Sequence, residues 1–266
     1  MSALSDSIYE LGRLDTFAQR DTWVHRLDPR AKVVATLVFI VCVVSFPRYT
    51  VLPLVPFALF PLVLAVEGRV PLGWLGSRLL AASPFALMIG VFNPLLDTAV
   101  IATIGPLEIT GGWASYASIV MRFGLTAAAA LVLIATTGFT TVCHALERLK
   151  VPEVFTVQLL FLYRYLFVLA EEGLRLVRAR DLRSFGKRGT GLAVYGQLLG
   201  HLLLRTYARA QRVYSAMLLR GFDGRVRIPA ALTWRSADLA FTALCCAAFV
   251  LARAVDLTAL IGSLVT

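Results

Sequence analysis

The chain has 266 residues, 58% hydrophobic and only 16% charged, with a net charge of +10 and a mean hydropathy of +0.76. Soluble domains run nearer half apolar and a quarter charged, so this composition excludes a disordered chain or a disulfide-built scaffold and points to an integral membrane protein. The surplus charge sits in one place: residues 143–235 hold 16 Lys and Arg against 6 Asp and Glu, while residues 79–121 hold no Lys or Arg. Cytoplasmic loops collect Lys and Arg and exported loops do not, which makes the sequence strongly polarised across a membrane.

Residues 1–30 are polar and lack the apolar core of a signal peptide, so they read as a cytoplasmic N-terminal segment followed by a first span that serves as insertion signal. A crossing helix takes about 20 apolar residues. The first span is expected at 31–46, short, and flanked by Arg26, Arg30 and Lys32. The second is expected at 49–66 after the tight link Pro47-Arg48, with Glu67, Arg69 and Arg78 returning the chain to the basic side. Residues 72–80, with Trp74, are too few to span and read as an interfacial segment. A third span is expected at 84–104, interrupted by Asn93-Pro94 and Asp97, since proline removes a backbone bond and kinks a helix. The fourth, 113–137, carries a run of small residues at 126–130 that lets neighbouring helices approach closely.

The basic region that follows is helical in pattern. Pro152 marks a helix start, an apolar run at 154–170 continues without a break to Arg183, and Gly186-Lys187-Arg188-Gly189-Thr190-Gly191 ends it. A second helix runs from about 192 to 220 and stops at Gly221, where a C-terminal glycine belongs. Leu192, Leu199, Leu203, Ala210, Val213 and Met217 form one face of it, and Arg205, Arg209 and Arg212 a stripe on another. Residues 154–170 are nearly long enough for a further span; Gln158, Arg164 and the parity of the loop charges favour the cytoplasm instead. The last span is 237–254. The expected fold is an all-α integral membrane protein with about five transmembrane helices and two long amphipathic cytoplasmic helices between the fourth and the last. Its parts are 1–30, the spans of 31–137, the basic region 138–235, and 236–266 with an exported C-terminus.

Few residues could carry chemistry. His25, His144 and His201 are scattered without partners at metal-ligand spacing, and Cys42, Cys143, Cys245 and Cys246 show no paired spacing, so they read as structural groups. Gly186-Lys187 lacks the upstream glycine and the Ser or Thr of a phosphate loop. No metal site, cofactor or catalytic group is therefore expected. Glu171-Glu172 followed by Arg175 approaches the paired-glutamate pattern of CAAX-type intramembrane proteases, with the arginine one position early. An intramembrane hydrolase using Glu171 and Glu172 is the alternative reading, against a plain helix surface with Glu171 and Arg175 paired at i, i+4. Asp97 and Arg122 are ionisable groups within apolar segments, which are candidate functional positions by default.

The two basic helices end alike, in Leu182-Arg183-Ser184 and Leu219-Arg220-Gly221. Together with His25-Arg26-Leu27-Asp28-Pro29-Arg30-Ala31-Lys32, Leu149-Lys150-Val151-Pro152 and Leu162-Tyr163-Arg164-Tyr165, these ends resemble the transmembrane T component of energy-coupling factor (ECF) transporters, nearest the cobalt/nickel branch. In that family two Ala-Arg-Gly motifs close a pair of coupling helices and insert their arginines into two ATP-hydrolysing subunits. Here leucine replaces alanine in both motifs and serine replaces glycine in the first. The resemblance implies ATPase contacts at Arg183, Ser184, Arg220 and Gly221. It implies two ATPase partners, a substrate-binding membrane S component, and a place in the bacterial inner membrane with the N-terminus cytoplasmic. It implies no nucleic acid and no catalysis by this chain, and it leaves cobalt and nickel equally open.

Overall fold

The computed structural model describes residues 16–96, 100–104, 107–183, 191–224, 226 and 234–254. Helices run over Trp23–Arg26 (α1), Pro29–Val44 (α2), Leu59–Glu67 (α3), Leu72–Gly90 (α4) and Asn93–Leu96 (α5). An antiparallel hairpin, Val100–Ile104 (β1) with Leu107–Thr110 (β2), leads into Gly111–Thr137 (α6). Then come Phe139–Arg148 (α7), Glu153–Arg183 (α8), Leu192–Leu219 (α9) and Ser236–Ala254 (α10). Backbone contacts divide the chain into one unit of residues 14–145 with 231–266, and a second containing Leu146–Ala230. Among the described residues four helices are, by length and composition, long and apolar enough to cross a membrane: α4, α6, α8 and α10. The chain is a helical, multi-pass membrane protein.

Several elements depart from the sequence expectation. The interfacial segment at 72–80 and the third span at 84–104 do not exist as separate pieces: one helix, α4, runs through Pro84 and ends at Gly90. Pro84 has no N–H for the Leu80 carbonyl, and the neighbouring Ser83 hydroxyl donates to that oxygen at 2.8 Å instead. Side-chain donors of this kind let a membrane helix tolerate proline. The second span begins at 52 rather than 49, with a 3-10 turn, Leu52–Ala58, because Pro53 and Pro56 deny it α-helical hydrogen bonds. The first span has only 16 residues, about 24 Å of helix. Helix α7 was not foreseen as an element of its own; Gly138, at φ 80, separates it from α6.

In the first unit α6 is the centre, touching α2, α3, α4 and α5. Most of its buried residues are small, among them Gly111, Gly112, Ser115, Ser118, Ala128, Ala129 and Ala135, with Leu125 and Val132 as the larger apolar ones. Lipid offers apolar surface as good as protein does, so helices there associate by close van der Waals fit and interhelical hydrogen bonds. Two glycines mark the tightest approaches. A Cβ on Gly90 would lie 2.6 Å from the Tyr116 ring, and one on Gly68 would lie 2.7 Å from Thr136 Cγ2.

Helices α2 and α10 pack side by side across more than two hundred residues of sequence. Phe39, Phe60 and Phe249 form an aromatic knot with ring centres 4.9 to 5.3 Å apart, extended by Phe57 and Phe46. A polar clasp closes each end. At one, Asp238 accepts the backbone N–H of Asp28 and that of Arg235, both at 2.9 Å. Asp28 also caps α2 by accepting the Arg30 N–H at 2.8 Å and holds the Arg30 guanidinium, which lies over Trp234. Burial pushes the Asp28 carboxyl up, but the side-chain and backbone donors of Arg30 outweigh it and hold it below the ordinary carboxylate range. Lys32, 3% exposed, donates to the Thr136 carbonyl at 3.1 Å. At the other end Arg253 donates to the Ser45 hydroxyl at 3.0 Å and its carbonyl at 3.2 Å. Both clasps require α2 and α10 to run parallel.

Candidate functional site: two arginine-bearing helix ends

The second unit contains the pair α8 and α9. Their polar contacts include a crossing centred on Glu172. That carboxylate holds Arg175 on its own helix at 3.0 Å, and Arg205 and Arg209 of α9 at 3.1 and 3.7 Å. Nearer the end of α8, Arg180 is bonded to Asp181 and stacks on the Tyr195 ring at 4.6 Å. Helix α8 therefore finishes beside the first turns of α9. Away from the crossing, the two apolar faces bound an open groove of about 660 Å³, lined on one side by Val154, Phe161 and Tyr165 and on the other by Tyr207, Val213 and Met217.

The candidate ATPase-contact residues fall at two separate places. Leu182 and Arg183 close α8; Leu182 is 83% exposed and Arg183 is exposed too. Leu219 and Arg220 close α9; Leu219 is 90% exposed, and Arg220 is exposed. Neither guanidinium has a hydrogen-bond or ion-pair partner among the described residues. Tyr195 marks the α8 end, and 25 residues separate it from Arg220, so the two ends stand about 38 Å apart. The turn after Arg220 is rigidly built. Gly221, at φ 78, donates to the Leu218 carbonyl at 2.9 Å, and Phe222 donates to Met217 at 3.0 Å. These are the two bonds of a Schellman motif. Ser184, at the matching place after α8, lies outside the described residues.

The remaining candidates resolve differently. Arg122 donates to the Pro47 carbonyl, tying α6 to the link after α2, and Ser118 donates to the Thr50 carbonyl at 2.9 Å in the same region. Its partner is backbone. Asp97 and the glycine-rich stretch at 186–190 lie outside the described residues. The expected i, i+4 pair of Glu171 with Arg175 is corrected to i, i+3: Glu172 is the partner, and Glu171 is exposed. With Glu172 held by three guanidiniums and Glu171 turned outward, the geometry gives the hydrolase reading no support. His25 Nε2 donates to the Phe17 carbonyl at 3.0 Å and its Nδ1 pairs with the Thr22 hydroxyl at 2.8 Å, and burial lowers it below the usual imidazole range. Cys143 is buried, which pushes its thiol up to about 11. Among the described residues no three His, Cys, Asp or Glu side chains gather as metal ligands.

Two features escaped the sequence: the exposure of the leucine that precedes each arginine, and Glu172 as the junction of the two helices. The first had a signal in the repeated Leu-Arg at both helix ends. The second had none, since Arg205 and Arg209 lie more than thirty residues away.

The described residues thus form a helical multi-pass membrane protein in which two long helices each end in an exposed arginine. The chain belongs to the cobalt transport protein (CbiQ) family, whose model matches residues 20–230. It is 28% identical to the energy-coupling factor transporter transmembrane protein EcfT of Listeria innocua over 249 residues, covering 85% of this chain and 91% of that one. It is 27% identical to the cobalt transport protein CbiQ of Rhodobacter capsulatus, covering 82% and 87%. A shorter match, 32% over 89 residues, links it to the nickel permease LarQ of Lactiplantibacillus plantarum, covering 34% and 33%. These matches establish the T-component family of ECF transporters, in its cobalt/nickel branch.

Proposed function

We propose that this chain is the coupling subunit of an ECF-type importer for a divalent transition metal, cobalt or nickel, in a bacterial inner membrane. Two ATPase subunits dock on the ends of α8 and α9, and a substrate-binding S component sits beside the membrane helices. ATP-driven movement of the ATPases is passed through Arg183 and Arg220 to the helices, and from them to the S component. Hydrolysis and metal recognition belong to the other subunits. The N-terminus and residues 138–235 are cytoplasmic in this reading: residues 143–235 hold 16 Lys and Arg against 6 Asp and Glu, and α8, though long and apolar enough to cross a membrane, carries Gln158 and Arg164 within its apolar run.

The observation that carries this reading is the matched pair of helix ends. Each offers an exposed leucine beside an arginine whose guanidinium has no partner among the described residues, and about 38 Å separates them. An arginine is a fixed fork of donors suited to carboxylates and carbonyls in a partner's groove, and a leucine at 83% or 90% exposure is apolar area that only a partner or lipid would cover. Two such ends on one chain suit two copies of a partner. Copurification from membranes tests this: the wild-type chain should retain two ATPase chains, and Arg183→Glu combined with Arg220→Glu should lose them while remaining in the membrane. Retention of both ATPases by that double variant would sink the docking assignment.

A further inference from the structure

We infer that Glu172 is a positioning residue for coupling: it pins the crossing of α8 and α9 and so sets where Arg183 and Arg220 are held. The inference rests on the coupling role proposed above.

Three guanidiniums converge on this carboxylate, and two come from the other helix. Glu172 is itself only 15% exposed, whereas Arg175, Arg205 and Arg209 are 46 to 63% exposed. The acidic partner is thus the sheltered one, and the cations close over it from the solvent side. A carboxylate that accepts charge-assisted hydrogen bonds from a forked donor is directional as well as attractive, so it fixes an angle as well as a contact. The next residue, Gly173, adds to this. The space where its side chain would be is bounded by Leu202 of α9 at 3.9 Å, so the two helices come close at this level.

Beyond that level the facing surfaces are apolar and bound the open groove. A crossing pinned at Glu172, with the groove opening on one side of it, has the mechanics of a pivot for the α9 arm that ends in Arg220. From Arg205 to Arg220 is 15 residues, an arm of about 22 Å, so a rotation of about 10° at the crossing carries Arg220 through about 4 Å. Motion delivered at a helix end is converted into opening or closing of the groove only if the crossing holds. Without the Glu172 contacts, the same motion lets one helix slide on the other and is lost. The ion-pair partners of this carboxylate are arginines of α8 and α9, so it acts through the placing of the two helices.

The test uses the whole complex, with its ATPases, reconstituted in liposomes, and reads metal taken up per ATP hydrolysed. Glu172→Gln should keep both ATPases bound but lower that ratio about tenfold, a coupling loss within the usual range for linked sites. Arg205→Ala combined with Arg209→Ala, which keeps Glu172 and removes its two partners on α9, should lower the ratio by a similar factor with both ATPases still bound. Glu171→Gln, on the exposed neighbour, should behave as wild type. A wild-type ratio in Glu172→Gln, loss of the ATPases from it, or a wild-type ratio in the double arginine variant overturns the pivot. If instead the wild-type complex holds no ATPases, the coupling reading itself fails.

Discussion

Asp238→Ala removes the side chain that joins the first and last membrane helices. Asp238 is 2% exposed and accepts two backbone N–H groups, that of Asp28 and that of Arg235. The Arg235 bond is half of a capping box at the start of α10, and losing a cap costs about 1 kcal/mol. The Asp28 N–H is left buried without an acceptor, a penalty of about 1–3 kcal/mol. Together the change is about 3 kcal/mol. At about 2–4 °C per kcal/mol for a chain of this size, the midpoint of thermal unfolding should fall by about 6–12 °C. Asp238→Asn keeps one oxygen acceptor and should fall by roughly half as much. Differential scanning fluorimetry of the chain purified in detergent reads both values. A drop of under about 2 °C for Asp238→Ala would refute the reasoning, since it would mean that neither bond contributes to holding α10 against α2.

Three further substitutions test the packing, each by the same thermal assay. Gly90→Ala brings a methyl to 2.6 Å from the Tyr116 ring and should cost about 1–3 kcal/mol; adding Tyr116→Ala should relieve the clash, and an unchanged midpoint for Gly90→Ala alone would contradict the close approach of α4 and α6. Phe249→Ala opens the aromatic knot between α2, α3 and α10 and should cost about 3–5 kcal/mol; a cost under about 1 kcal/mol would mean that the knot contributes little. Arg69→Gly should stabilise by about 1 kcal/mol, because Arg69 holds φ 51, a left-handed conformation that suits glycine; a lower midpoint would show that the Arg69 side chain contributes more than its backbone strain costs.

Arg69 also illustrates what the sequence hid. Val70 donates to the Ala65 carbonyl at 2.8 Å and Arg69 to Val66 at 3.0 Å, a complete Schellman turn. A reader would put the left-handed residue at Gly68, one position early. That glycine is required for another reason, its close approach to Thr136. The turn after α7 repeats the pattern, with Lys150 at φ 68 in the left-handed place. Glycine fills the left-handed place at Gly221, whereas Gly68 serves a close helix approach, because packing in a membrane claims glycines as strongly as turns do.

Long periodic helices were legible: α6, α8, α9 and α10 lie within a few residues of their expected bounds, since each is a single uninterrupted run. The region from 72 to 110 was not. Proline at 84 argued for a boundary, and the Ser83 hydroxyl that makes the helix continuous is one residue away, where no periodicity would flag it. The paired arginine ends could be read because both lie next to a helix terminus and both follow leucine. The parallel seating of α2 on α10 could not be, because Asp28 and Asp238 are joined only by the fold. Asp28, Arg30 and Lys32, part of the stretch that first suggested the family, turn out to hold the membrane helices together.

Coupling through the two helix ends is tested most directly by ATP-driven uptake of cobalt or nickel into liposomes carrying the assembled complex. The double variant Arg183→Glu with Arg220→Glu should reduce uptake at least about a hundredfold, because each partner groove then meets a charge of the wrong sign, a penalty of several kcal/mol in total. Each single variant should retain a measurable part, since the other end remains docked. Undiminished uptake in the double variant, with ATP still hydrolysed, would contradict coupling through Arg183 and Arg220.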